Sequence, residues 1–218
     1  MPGVKTVLGS FILERFGLQS NGPTETSPAG EATAAFAHYT AAQELKGRGL
    51  YAEAVEELKE AVRNNSDFAE AHNELGDVYR SLGNLPKAIK AYKAAIRIQP
   101  EYVIAHDGLG MAYDGSGNFI EAVKAYMRAL RLAPNSVDTR ANLGMTYYNL
   151  GSYAEATKAF NQALQIDPTS VQAHYGLGLV YIDLRCKDLA LNKVEALENS
   201  GQKDVAASLL ERVERYCG

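Results

Sequence analysis

The sequence predicts an all-α repeat array, and three observations predict it. Three of its four histidines, His38, His72 and His106, stand 34 residues apart, and His174 lies two such steps further on with Arg140 between. Apolar and small residues recur on the same ruler. Glycines and prolines punctuate each period at positions where helices stop. An internal period of this length defines the architecture before any single motif does.

Each element of the period has a physical reason. Leu75-Gly76, Leu109-Gly110, Leu143-Gly144 and Leu177-Gly178 recur, with Tyr79, Tyr113, Tyr147 and Tyr181 three residues after the glycine. Glycine inside a helix costs about 1 kcal/mol against alanine, so its recurrence implies a close approach by the second helix. Gly83, Gly117 and Gly151 then end the first helix in a turn. Ala88, Ala122 and Ala156 offer a small face on the second helix. Tyr92, Tyr126 and Phe160 follow to fill gaps between neighbouring units, and Ala95, Ala129 and Ala163 come three residues later. Pro100, Pro134 and Pro168 close three periods, because the residue before a proline is pushed out of helical conformation.

On these residues the chain resembles the tetratricopeptide-repeat family, whose unit is a helix–turn–helix of the same period. The resemblance implies a right-handed superhelical solenoid with a C-terminal capping helix. Five units fit, at 35–68, 69–102, 103–136, 137–170 and 171–202, and residues 203–218 form the cap. The first unit departs from the pattern, with Ala41-Ala42 for Leu-Gly and Ser66 for proline. The fifth departs more: Arg185 replaces the turn glycine, Lys187 the turn aromatic, and Val194 and Leu197 the later aromatic and alanine. Loosening at both ends is expected where terminal units face solvent. In the cap, Val205, Leu209, Leu210 and Val213 share one side, and Glu211, Arg212, Glu214 and Arg215 the other.

Ahead of the array, residues 20–34 read as a flexible polar linker. Residues 1–19 form a short amphipathic segment with Val4, Val7, Leu8, Phe11, Ile12 and Phe16 at helical spacing. Lys5 and Arg15, opposed by Glu14, give it too little positive charge for strong membrane association.

Composition excludes several classes of function. A net charge of −4 argues against nucleic-acid binding, which needs a basic surface. Cys186 and Cys217 are too few for a disulfide framework, and the expected location is the cytoplasm. The histidines repeat one helix spacing apart, too far to share a metal ion, and read as packing residues. The sequence carries no phosphate loop and no catalytic triad. Gly108-Leu109-Gly110 and Gly176-Leu177-Gly178 lie within predicted helices. The expectation is a non-enzyme without cofactor or metal.

Function therefore falls to a groove. The resemblance implies a concave surface, lined by the first helices, that receives an extended peptide or partner helix. The lining positions hold Glu70, Asn73, Asp77 and Arg80 in the second unit, and Ile104, Asp107, Met111 and Asp114 in the third. The fourth unit supplies Asp138, Ala141, Met145, Tyr148 and Asn149. The fifth supplies Gln172, Tyr175, Leu179, Ile182 and Asp183. The early groove is acidic, and Met145, Tyr148, Tyr175, Leu179 and Ile182 form an apolar, aromatic patch expected to be exposed for contact. The matching partner is a protein or peptide with basic and apolar residues.

The carboxylate clamp that some family members use for chaperone tails is not matched, since its positions hold Tyr39, Gln43, Glu74, Ile104 and Gly108. Two alternatives stand beside the scaffold. One is a homo-oligomer in which the amphipathic segment docks into a neighbour's groove, and the other is a regulatory subunit of an enzyme complex.

Overall fold

The computed structural model describes residues 28–217, and among them it contains eleven α-helices and no strand. The described residues fall into two compact units, divided between Pro100 and Glu101. In the first, α1 (Pro28–Gly47) pairs with α2 (Tyr51–Asn64), and α3 (Ala69–Ser81) with α4 (Leu85–Ile98). In the second, α5 (Val103–Gly115) pairs with α6 (Phe119–Leu132), α7 (Val137–Asn149) with α8 (Tyr153–Ile166), and α9 (Val171–Asp183) with α10 (Lys187–Asn199). There α11 (Lys203–Cys217) packs on both α10 and α9. The predicted all-α class with consecutive helix pairs is what the structure has.

One boundary differs from expectation. α1 begins at Pro28, inside the stretch read as flexible linker. Its first turns are Ala-Gly-Glu-Ala-Thr-Ala, in which alanine favours helix and Glu31 complements the helix N-terminus, so local propensity outweighs the polar composition. The amphipathic segment at 1–19 lies outside the described residues.

Turn chemistry sets the pairing. Within each pair, helices are joined by three residues, and the third residue's N–H bonds the carbonyl five back, as Ser152 does to Tyr147 at 2.9 Å. The middle residue has positive φ: 72° at both Gly83 and Gly151. That six-to-one bond is the Schellman closure of a helix. Successive pairs are joined by four residues, as at 133–136 and 167–170, where Ser136 and Ser170 cap the next helix through their hydroxyls. The prolines at 134 and 168 lie two residues past the preceding helix end.

The helical glycines face rings. A methyl on Gly76 would lie 2.6 Å from the Tyr92 ring, one on Gly110 2.6 Å from Tyr126, and one on Gly144 2.7 Å from Phe160. The aromatic of the second helix thus fills the space that glycine vacates, and Tyr92, Tyr126 and Phe160 are almost wholly buried. The close approach inferred from sequence is therefore ring on backbone, not backbone on backbone. Phe160 also abuts Gly176 of α9, so one ring spans two successive first helices.

Three of the residues that mark the period act as latches. The imidazole Nε2 of His72 contacts the Ser66 carbonyl at 3.0 Å and that of His174 the Pro168 carbonyl at 2.9 Å, each six residues back. Arg140, in the same register, donates to the Pro134 carbonyl. These side chains tie the connection between pairs to the helix that follows it, a more specific role than packing. His38, in the first pair, contacts Glu57 of α2 at 2.7 Å instead.

Candidate interaction groove

The groove positions of residues 28–100 are largely occupied by one another. Asn73 is buried and donates to Asp77 at 3.4 Å, and Asp77 accepts the Tyr92 hydroxyl at 2.7 Å. Arg80 reaches the same hydroxyl at 3.4 Å. Burial, reinforced by the Asp77 carboxylate, pushes the Tyr92 phenol well above the usual tyrosine range. Asp77 and Arg80 thus brace α3 against α4. Beside them stands a feature the sequence reading does not single out. The rings of Phe36 and Tyr39 of α1 have centroids 6.3 Å apart, and the Tyr39 ring packs at a tilt, 5.0 Å from the ring of Phe68, which leads into α3.

In residues 101–218 the first helices bond directly to one another. Asp114 of α5 accepts the Thr146 hydroxyl of α7 at 2.8 Å, and Gln172 of α9 donates to Asn142 of α7 at 2.7 Å. These side-by-side links make α5, α7 and α9 one continuous strip. Asp107, Met111 and Asp114 follow one face of α5 at helical spacing, all half-buried. Met145 and Tyr148 do the same on α7, packed against apolar clusters on two sides, with Asn149 exposed at the helix end.

Tyr148 and Tyr153 lie 5.9 Å apart, and Tyr153 donates to Asp183 at 3.1 Å. Burial, with the Asp183 carboxylate alongside, pushes the Tyr148 phenol up to about 12.

The aromatic patch is not exposed as the sequence suggests. Leu179 and Ile182 are 8% and 5% accessible, in a core with Leu197, Leu209 and Val213. The cause lies at the fifth pair. Val194 stands where the second, third and fourth pairs carry a ring, so the space above Gly178 is open, and Leu209 of α11 fills it: a methyl there would lie 2.5 Å from the leucine. The α10–α11 connection is the three-residue kind used within pairs, with Gly201 at φ 80° and Gln202 bonded to the Leu197 carbonyl at 2.9 Å. That turn brings the apolar side of α11 onto α9, covering Leu179 and Ile182. Tyr175 stays half-buried at the margin. The missing ring at Val194 is the sequence signal for this covering.

Among the described residues no three histidine, cysteine or carboxylate side chains converge as a metal site, and no helix is long and apolar enough to cross a membrane.

Comparison with known proteins agrees with this architecture. Models of the tetratricopeptide repeat match residues 39–103, 103–136, 125–158 and 144–184. The chain belongs to the tetratricopeptide-repeat family. Among solved structures, it resembles MamA from Desulfovibrio magneticus RS-1 at 20% identity, with a TM-score of 0.68, covering 78% of this chain and 95% of that one. It resembles YrrB, a TPR protein with an unusual peptide-binding site, at 22% identity and TM-score 0.66, covering 81% and 92%. TTC0263, a thermophilic TPR protein of Thermus thermophilus, aligns at 22% identity and TM-score 0.64, covering 83% and 99%. At these identities the likeness speaks for the fold alone. No curated protein matches the sequence.

Proposed function

We propose that this protein is a non-enzymatic scaffold that binds an extended segment of another protein along the strip formed by α5, α7 and α9. One observation carries the reading: the first helices are hydrogen-bonded side by side, through Asp114–Thr146 and Asn142–Gln172, into a single preorganised surface. A surface held rigid before binding loses little entropy on binding, which favours recognition of flexible segments. Family membership and the peptide-binding site of YrrB support the same reading.

The chemistry of the strip defines the partner. Met111, Met145 and Tyr148 supply adaptable apolar and aromatic contact, and Asp107, Asp114 and Asp138 supply negative potential. A segment with apolar residues and lysine or arginine is complementary to it. Asn73, Asp77 and Arg80 act mainly in holding α3 to α4, and Leu179 and Ile182 act as core.

Affinity capture from the native extract tests the reading. The wild-type chain should retain a partner that a Met111→Ala, Tyr148→Ala double variant loses while its helical circular dichroism is unchanged. A partner held equally by both would move the contact surface elsewhere, first to residues 1–19 and self-association.

A further inference from the structure

The helices α9 and α11 run in the same direction. Leu209 sits on Gly178, and further along Cys217 Sγ lies 3.7 Å from the Ile182 carbonyl. Toward their N-terminal ends the helices part, and the space between them is an open cleft of about 530 Å³. Val171, Tyr175 and Val205 form apolar walls, with Gln172, Asp204 and Ser208 completing the lining. This volume falls in the range of small-ligand clefts, and the space is open to solvent.

The cleft is continuous with the strip. Gln172, on its wall, is the residue bonded to Asn142 of α7 at 2.7 Å. One helical turn before Asn142 stands the exposed carboxylate of Asp138, and Asp204 on α11 is exposed as well. Neither carboxylate forms an ion pair among the described residues.

From this geometry we propose that the cleft between α9 and α11 is an anchor pocket: it takes one bulky apolar side chain of the bound segment, with a lysine or arginine beside it facing Asp204. The proposal rests on the scaffold reading and sharpens it. α11 then has two roles, burying Leu179 and Ile182 and furnishing one wall of the pocket. The occupant is a peptide and not a free hydrocarbon, because the pocket opens onto the hydrogen-bonding strip and carries charge on its rim. A buried aromatic or aliphatic anchor carries most of the affinity in such contacts, and the rim charge selects its neighbours.

Selection of a phage-displayed random dodecamer library on the full chain tests this. Enriched peptides should share a bulky apolar residue with lysine or arginine within two positions. Val205→Asp and Tyr175→Ala should each weaken the best synthetic dodecamer about tenfold or more, the loss expected for a contact hot spot. Asp204→Lys changes an exposed residue, with its helical circular dichroism checked against wild type, and it should switch the selected neighbour from lysine or arginine to aspartate or glutamate. Enriched peptides indifferent to all three variants but weakened by Tyr148→Ala would overturn the pocket and leave the strip standing. A library that yields no enriched peptide would overturn both.

Discussion

The fourth and fifth helix pairs share one backbone plan and solve the same packing problem differently. In α7–α8, Gly144 receives the ring of Phe160 from its own partner helix. In α9–α10, the matching Gly178 has no ring to receive, because Val194 is too small, and Leu209 arrives from α11. The fourth pair closes on itself apart from the reach of Phe160 to Gly176, whereas the fifth is completed by a third helix. At the fifth pair, where glycine is kept but the aromatic is missing, the vacant space is therefore a docking site for the helix that follows.

The largest test of this contrast is Leu209→Ala. Removing a fully buried leucine should destabilise residues 101–218 by about 2–5 kcal/mol in chemical denaturation. Val194→Phe alone should also destabilise, since its ring and Leu209 compete for the space above Gly178. The double variant should recover part of the loss, with a coupling on the order of 0.5–3 kcal/mol. Simple additivity would mean that Leu209 is not the substitute for the missing ring.

Gly144→Ala probes the self-contained pair. Its new methyl would stand 2.7 Å from Phe160, so the ring must shift and about 1–3 kcal/mol should be lost. A neutral effect would show that the ring relaxes freely and that glycine is not required there.

A smaller effect lies in the turns. Arg185 occupies the fifth within-pair turn at φ 60°, where the earlier ones have glycine. Arg185→Gly should stabilise by about 1 kcal/mol, measured as a raised Tm. The equivalent change of Gly151 to arginine should destabilise by a similar amount.

The smallest concerns Tyr148, whose phenol is pushed up to about 12 by burial and the nearby Asp183 carboxylate. A raised folded value means the neutral phenol is favoured in the native state. Its contribution is full below the ordinary value of 10.0 and is lost as pH rises through about 12. Asp183→Asn should bring phenolate formation, followed by ultraviolet absorbance, to lower pH. An unmoved titration would remove Asp183 from the account.

The pairing of helices is legible in the sequence because turn glycines, prolines and the Gly–aromatic spacing all act locally. The latch role of His72 and His174 is not, since a carbonyl six residues back becomes a partner only once the connection folds over. The groove positions on α5 and α7 follow from the family resemblance, and the structure sets their side chains along adjacent helix faces. The burial of Leu179 and Ile182 escapes the sequence for a non-local reason: α11 is amphipathic in sequence, but the face it covers depends on the turn at Gly201 and the void above Gly178. Asp77 and Arg80 look like free groove charges until Tyr92 is seen between them. The start of α1 at Pro28 shows the opposite error, where polar composition hides a run of good helix formers.

The central claim is that the bonded strip of first helices is the binding surface. Amide hydrogen exchange on the full chain, with and without a segment recovered by capture, tests it most directly. The account predicts slowed exchange in α5 and α7 and toward the N-terminal ends of α9 and α11, with α6 and α8 unchanged. Slowing confined to α6 and α8, or to residues 1–27, would contradict it.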